Sequence, residues 1–146
     1  MNNVKILLVE DSIADIAMLE EVLLDSKMKV DLEIAHNGED ALALLRHKAE
    51  GELSYFPDLI LLDLNLPRLD GIDVLKQIKT DPELKKIPVV VLSTSSDKQD
   101  ILNSYQQHAN CFITKPSDYD DFEKVVMALE NFWFSIVKLP RDKNDD

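Results

Sequence analysis

The chain has 146 residues, 45% hydrophobic and 30% charged, which fits one globular domain with a single core and is too apolar for a disordered chain. Its formal charge of −12 would repel nucleic-acid phosphates and anionic lipid, so neither nucleic acid nor membrane is an expected partner. The lone Cys111 leaves no intrachain disulfide and suits a reducing, cytoplasmic setting; between apolar neighbours it reads as a small buried hydrophobe.

The chain opens on a short apolar strand, Val4–Val9, too brief for a signal peptide or a membrane span. Ser12 then stands three residues before Asp15, much like a capping box, and starts a helix carrying Ile16, Leu19 and Leu23. A second strand is expected over Val30–Ala35, and Asn37, three before Asp40, starts a helix with Ala41, Leu44 and Leu45. The third strand, Asp58–Asp63, precedes Asp70-Gly71 and a helix with Val74, Leu75 and Ile78. The fourth strand, Val89–Ser93, is followed by a thinly apolar helix over Asp97–Gln107, expected to pack loosely. The fifth strand, Cys111–Thr114, leads to the longest helical pattern, Asp118–Val137, apolar on more than one face.

Strands one, three and four are almost continuously apolar, as strands covered on both faces are. Five strand–helix alternations imply βαβ crossovers and an α/β fold: a (βα)5 doubly wound parallel sheet, in which ligands bind beyond the carboxyl ends of the strands. Those ends carry Glu10-Asp11, Asp63, Ser93-Thr94 and Lys115-Pro116. Singly, each is an ordinary turn or cap residue; together they put three carboxylates, a hydroxyl and an ammonium on one rim. Clustered carboxylates repel unless a cation joins them, and a hard divalent ion such as Mg²⁺ prefers oxygen ligands. Such a site suits a phosphoryl group, which a carboxylate can attack to give an acyl phosphate. Asp63, at the end of the most hydrophobic strand, is the best nucleophile.

The motifs ILLVEDS at 6–12, LILLDLNLPRLDG at 59–71, PVVVLSTS at 88–95 and CFITKP at 111–116 resemble those of response-regulator receiver domains of the chemotaxis-regulator type. That resemblance implies the strand order 2-1-3-4-5 and assigns Asp63 as phosphoacceptor, with Mg²⁺ held by Glu10, Asp11, Asp63 and the backbone carbonyl of Asn65. It implies that Ser93 and Lys115 contact the phosphoryl group, that Ser93 and Phe112 form the switch, and that Lys115-Pro116 is a cis peptide. The acid pair is Glu-Asp where many members have Asp-Asp, so Glu10 could reach the metal through water. Phe112 lacks the hydroxyl that a tyrosine would bring there and can equally be a plain core phenylalanine.

DLNLPRLDG and the late NFWFSIVKLP (131–140) resemble the single-domain regulators that partner phytochrome-type histidine kinases of bacteria, cyanobacteria especially. The resemblance implies a sensor histidine kinase as partner and a signalling protein, not an enzyme. Phe132, Trp133, Phe134 and Ile136 exceed the single stripe that a helix resting on a sheet needs. They are expected to form a partner surface, a homodimer included, next to the fourth helix, fifth strand and fifth helix. The receiver domain is expected over residues 1–137, with a polar tail over 138–146 and no output domain. A phosphate shuttle and a phosphorylation-independent interaction module are alternatives.

Two rivals fit less well. A flavodoxin-like nucleotide binder needs a phosphate-cradling Gly/Ser/Thr-rich loop after the first strand, where this chain has Glu10-Asp11. A phosphohydrolase of the haloacid-dehalogenase type needs a second carboxylate two residues after its nucleophile, where this chain has Asn65.

Overall fold

The computed structural model describes residues 4–25, 29–50, 56–136 and 138–140. Five strands, β1 (Val4–Val9), β2 (Val30–Ala35), β3 (Leu59–Leu62), β4 (Val89–Ser93) and β5 (Cys111–Thr114), pair in parallel in the order β2-β1-β3-β4-β5. Five α-helices alternate with them: α1 (Ile13–Leu24), α2 (Gly38–Glu50), α3 (Gly71–Thr80), α4 (Lys98–Gln106) and α5 (Tyr119–Glu130). The fold is therefore the expected (βα)5 doubly wound sheet. Asp58 and Asp63 flank β3, and their N–H groups still donate to Lys5 and Val9 of β1, extending the ladder one residue each way.

Side-chain alternation along the central strands splits the core in two. Leu7, Val9, Ile60, Leu62, Val89 and Val91 meet α2 and α3 through Leu45, Val74, Leu75 and Ile78. Ile6, Leu8, Leu59, Leu61, Val90 and Leu92 meet α1 and α5 through Leu19, Val22, Phe122 and Val126. Every residue of β3 and β4 is buried, so both faces of the sheet centre are covered. Each fully buried aliphatic or aromatic side chain contributes about 1.5–3 kcal/mol by leaving water. Edge strand β5 is half-covered, and the Cys111 on it is half-buried; burial pushes its thiol pKa up.

Local signals set the helix starts. Ser12 Oγ accepts from Asp15 N–H at 3.3 Å, Asp70 caps α3 through Ile72 N–H, and Asp97 caps α4 through Gln99 N–H. Asn37 does the same for α2: its Oδ1 accepts from Asp40 N–H at 2.8 Å. Only Ser104 of α4 is buried, with Leu102 and Tyr105 about half exposed, in line with the thin packing expected there.

Three expectations need correction. The last helix is not continuous over Asp118–Val137: α5 ends at Glu130 and a six-residue π-helical stretch, Asn131–Ile136, follows. Within it Trp133 continues the stripe Phe122, Val126, Leu129 and is buried against the α1/α5 core, so it is a core residue and not a free partner surface. Phe132, its ring edge-on to Trp133 at 5.6 Å, is 50% exposed; the side chains of Phe134 and Ile136 lie outside the described set. The Lys115-Pro116 bond is trans, as no cis peptide occurs among the described residues; trans is the form that X-Pro amides favour by about 0.5–1 kcal/mol. In the tail, Leu139 packs against the α1/α5 core despite its polar neighbours.

Candidate functional site

Parallel pairing brings the carboxyl ends of β1, β3, β4 and β5 to one rim, and the predicted residues gather there. Glu10 follows β1 directly and is buried; Asp11 beside it is exposed. Asp63 follows β3, held by its N–H to Val9 O at 3.0 Å, and is 6% exposed. One carboxylate oxygen from each of Glu10, Asp11 and Asp63 lies within 4.8 Å of the other two. Three acidic oxygens so close form a donor set suited to a hard divalent cation, drawn from three of the four expected ligands.

Lys115, after β5, supplies the counter-charge. Its backbone N–H donates to Ser93 O at 2.7 Å, tying the end of β5 to β4, and its side chain is buried. The ammonium contacts Glu10 Oε2, lies 2.9 Å from Asp15 Oδ2, and stands 3.7 Å from Asp63 Oδ2. Desolvation alone would depress the Lys115 pKa, but hydrogen bonds to Glu10 and Asp15 and the charge of Asp63 outweigh it and raise it. Burial pushes Glu10 the other way for an ion pair, up to about 7, against the pull of Lys115 and with the Asp63 charge adding to the rise. Three carboxylates face one ammonium, which favours the charged form of Lys115.

Ser93 is fully buried at the end of β4, its Oγ accepting from Ser95 N–H at 3.2 Å. Asn65 is exposed two residues after Asp63; its N–H donates to Asp63 Oδ1 at 3.3 Å and its side-chain amide to Thr94 Oγ1 at 3.4 Å. Phe112 lies on β5 beside the α2/α3 core, half-buried, and its N–H donates to the Tyr105 hydroxyl at 3.2 Å. All the strand-end residues therefore converge, with Phe112 one strand away.

The sequence reading missed the part played by Asp15, taken there only as a helix-cap partner. Its partner lies 100 residues away, so nothing local to the α1 cap pointed to it.

Chemically, the rim offers a buried carboxylate at Asp63, two further carboxylates grouped with it, and an ammonium 3.7 Å from it. A family model for the response regulator receiver domain matches residues 6–127. The chain is 49% identical over 135 residues to the response regulator Rcp1 of Synechocystis sp., with 92% of each protein covered. It resembles the crystal structure of the phosphorylated cyanobacterial phytochrome response regulator RcpA, with TM-score 0.89 and 47% identity over 96% of this chain and 100% of that one. The Mn²⁺-bound form of Rcp1 gives TM-score 0.86 and 47% identity, covering 94% and 99%.

Proposed function

The chain belongs to the response regulator receiver domain family, and from that premise we propose that it takes a phosphoryl group onto Asp63 from a sensor histidine kinase of the phytochrome type. The observation that carries this reading is the buried Asp63 carboxylate facing the Lys115 ammonium at 3.7 Å, with Glu10 and Asp11 grouped around it. The kinase class rests on likeness to Rcp1 and to the phytochrome regulator RcpA, proteins of which this chain covers 92% and 100%.

An Asp63 oxygen attacks phosphorus as the bond from phosphorus to the donor's imidazole nitrogen breaks, and the imidazole leaves with its electron pair. The β3 ladder holds the nucleophile still, which lowers the cost of orientation. Lys115 neutralises a phosphoryl oxygen, and the Ser93 hydroxyl turns from Ser95 to donate to another. Glu10, Asp11, Asp63 and the carbonyl of Asn65 would hold Mg²⁺, which supplies charge neutralisation for the transferred group. Movement of Ser93 opens space toward β5 into which Phe112 can turn, and the face of α4, β5 and α5 changes with it. That face is the proposed output surface, for a homodimer or for the kinase.

The test is incubation of the full chain with a small phosphodonor and Mg²⁺. One acid-stable, base-labile phosphate is expected on the wild type and none on Asp63→Asn. Undiminished labelling of Asp63→Asn would overturn the assignment.

A further inference from the structure

Asp15 is the N3 residue of α1, and its backbone N–H is accepted by the Ser12 hydroxyl. In a complete capping box its carboxylate would turn back to the Ser12 N–H. Here Glu10 Oε1 accepts that N–H at 3.1 Å, and the Asp15 carboxylate reaches instead across to Lys115 Nζ at 2.9 Å. The Ser12 N–H thus keeps an acceptor, and the Asp15 carboxylate is left to bind the same ammonium that faces Asp63. This contact spans 100 residues of sequence and joins the start of α1 to the end of β5.

Lys115 does not need Asp15 for neutralisation, because Glu10 touches it and Asp63 stands 3.7 Å away. Nor does Asp15 join the grouped oxygens of Glu10, Asp11 and Asp63. Its contact in the site is with the ammonium. It holds Lys115 on the α1 side of the site and adds a negative charge near the place an incoming phosphoryl group would occupy. Both effects oppose a group that carries about −1.5 to −2 charge.

We infer that Asp15 is a positioning residue that restrains Lys115 and so weakens the site's hold on a phosphoryl group, setting how readily Asp63 becomes and stays phosphorylated. The inference rests on Asp63 being the phosphoacceptor. Removing the Asp15 charge frees the ammonium for the phosphoryl oxygens and removes one repulsion, so affinity for a phosphoryl group should rise. A glutamate keeps the charge and can reach the same ammonium.

The experiment is calorimetric titration of beryllofluoride, in saturating Mg²⁺, into the full wild-type chain and into Asp15→Asn, Asp15→Ala, Asp15→Glu and Ser12→Ala. The two uncharged variants are expected to bind about 5-fold more tightly or better, the lower end of a typical coupling. Asp15→Glu should bind like the wild type. Ser12→Ala, which removes the cap hydroxyl but leaves Lys115 and its partners, should melt at a lower temperature with unchanged affinity. The two uncharged substitutions give independent chances of a folded protein, checked by their melting curves. Equal or weaker binding by a folded uncharged variant, or tighter binding by Ser12→Ala to the same degree, would overturn the role of Asp15. A wild type that binds no beryllofluoride would instead overturn the phosphoacceptor reading on which it rests.

Discussion

A Cβ at Gly71 would meet the Asp63 carbonyl oxygen at 2.5 Å and the Leu64 Cα at 2.5 Å. The obstacles are backbone atoms of the segment that carries Asp63, so they cannot move aside without moving that residue. At Gly38 the nearest atoms are Val74 Cγ2, on a fully buried β-branched side chain, and the Leu69 carbonyl oxygen at 3.2 Å, so a Cβ is also crowded there but not against the Asp63 backbone. Gly71 therefore sets how closely α3 approaches the Asp63 segment, a contact sealed by its N–H to Leu64 O at 3.0 Å. Gly71→Ala should destabilise by about 1–3 kcal/mol, the usual cost of overpacking. It should also slow phosphorylation by small donors, whereas Gly38→Ala should do so less; urea unfolding and a labelling time course measure both. At this scale much of the site was legible, because apolar strands point at the residues that end them. Asp15 was not legible, since the cap pattern already gave it a sufficient local role and its true partner is distant in sequence.

The elements differ in how firmly their own residues hold them. β3 and β4 are buried throughout, while α4 buries only Ser104 and β5 lies half-covered at the sheet edge. These two weak elements are tied by the Tyr105 hydroxyl accepting the Phe112 N–H, a residue of α4 reaching the backbone of β5. Tyr105→Phe removes the acceptor and keeps the ring. Since the bond is exposed, water can replace it, and the cost should stay near the net value of one hydrogen bond, about 0.5–1.5 kcal/mol. The loss should be local: faster amide exchange at Phe112 and its β5 neighbours, with β1, β3 and β4 unchanged. Equal acceleration across all strands would show that this bond does not couple α4 to β5 alone. The apolar runs and cap residues specify strands and helix starts from within each segment, which is why their limits were readable. The π-helical stretch was not readable: its apolar residues suit a longer α-helix equally well, and the choice depends on docking Trp133 against a core assembled from other segments.

At the scale of the whole molecule, the surface of α4, β5 and α5 gathers what the core leaves over. Leu102, Tyr105, Met127 and Phe132 are each about half exposed, and an apolar groove of about 300 Å³ runs between Cys111, Ile113, Val125, Ala128, Leu129, Phe132 and Trp133. The sequence excess of aromatic residues pointed to this region but could not divide it, because period alone does not say which ring the core will claim. The structure gives Trp133 to the core and leaves Phe132 outside, and the two residues should therefore fail differently. Trp133→Ala should cost about 3–5 kcal/mol of stability, as large-to-small core changes do, and would confound any association measurement. Phe132→Ser should cost little stability, yet weaken self-association if this face is the dimer surface. The proposed phosphoryl-linked shift of Ser93 and Phe112 would act on the same face, so a phosphate mimic should tighten association by about 5–150-fold, the range of typical allosteric coupling. Sedimentation of the wild type and Phe132→Ser, each with and without beryllofluoride and Mg²⁺, separates these effects. The expected result is association that rises with the mimic in the wild type and is lost in Phe132→Ser. Equal association in all four samples would mean that the apolar residues of this face serve only the monomer, and that the signal leaves by another surface.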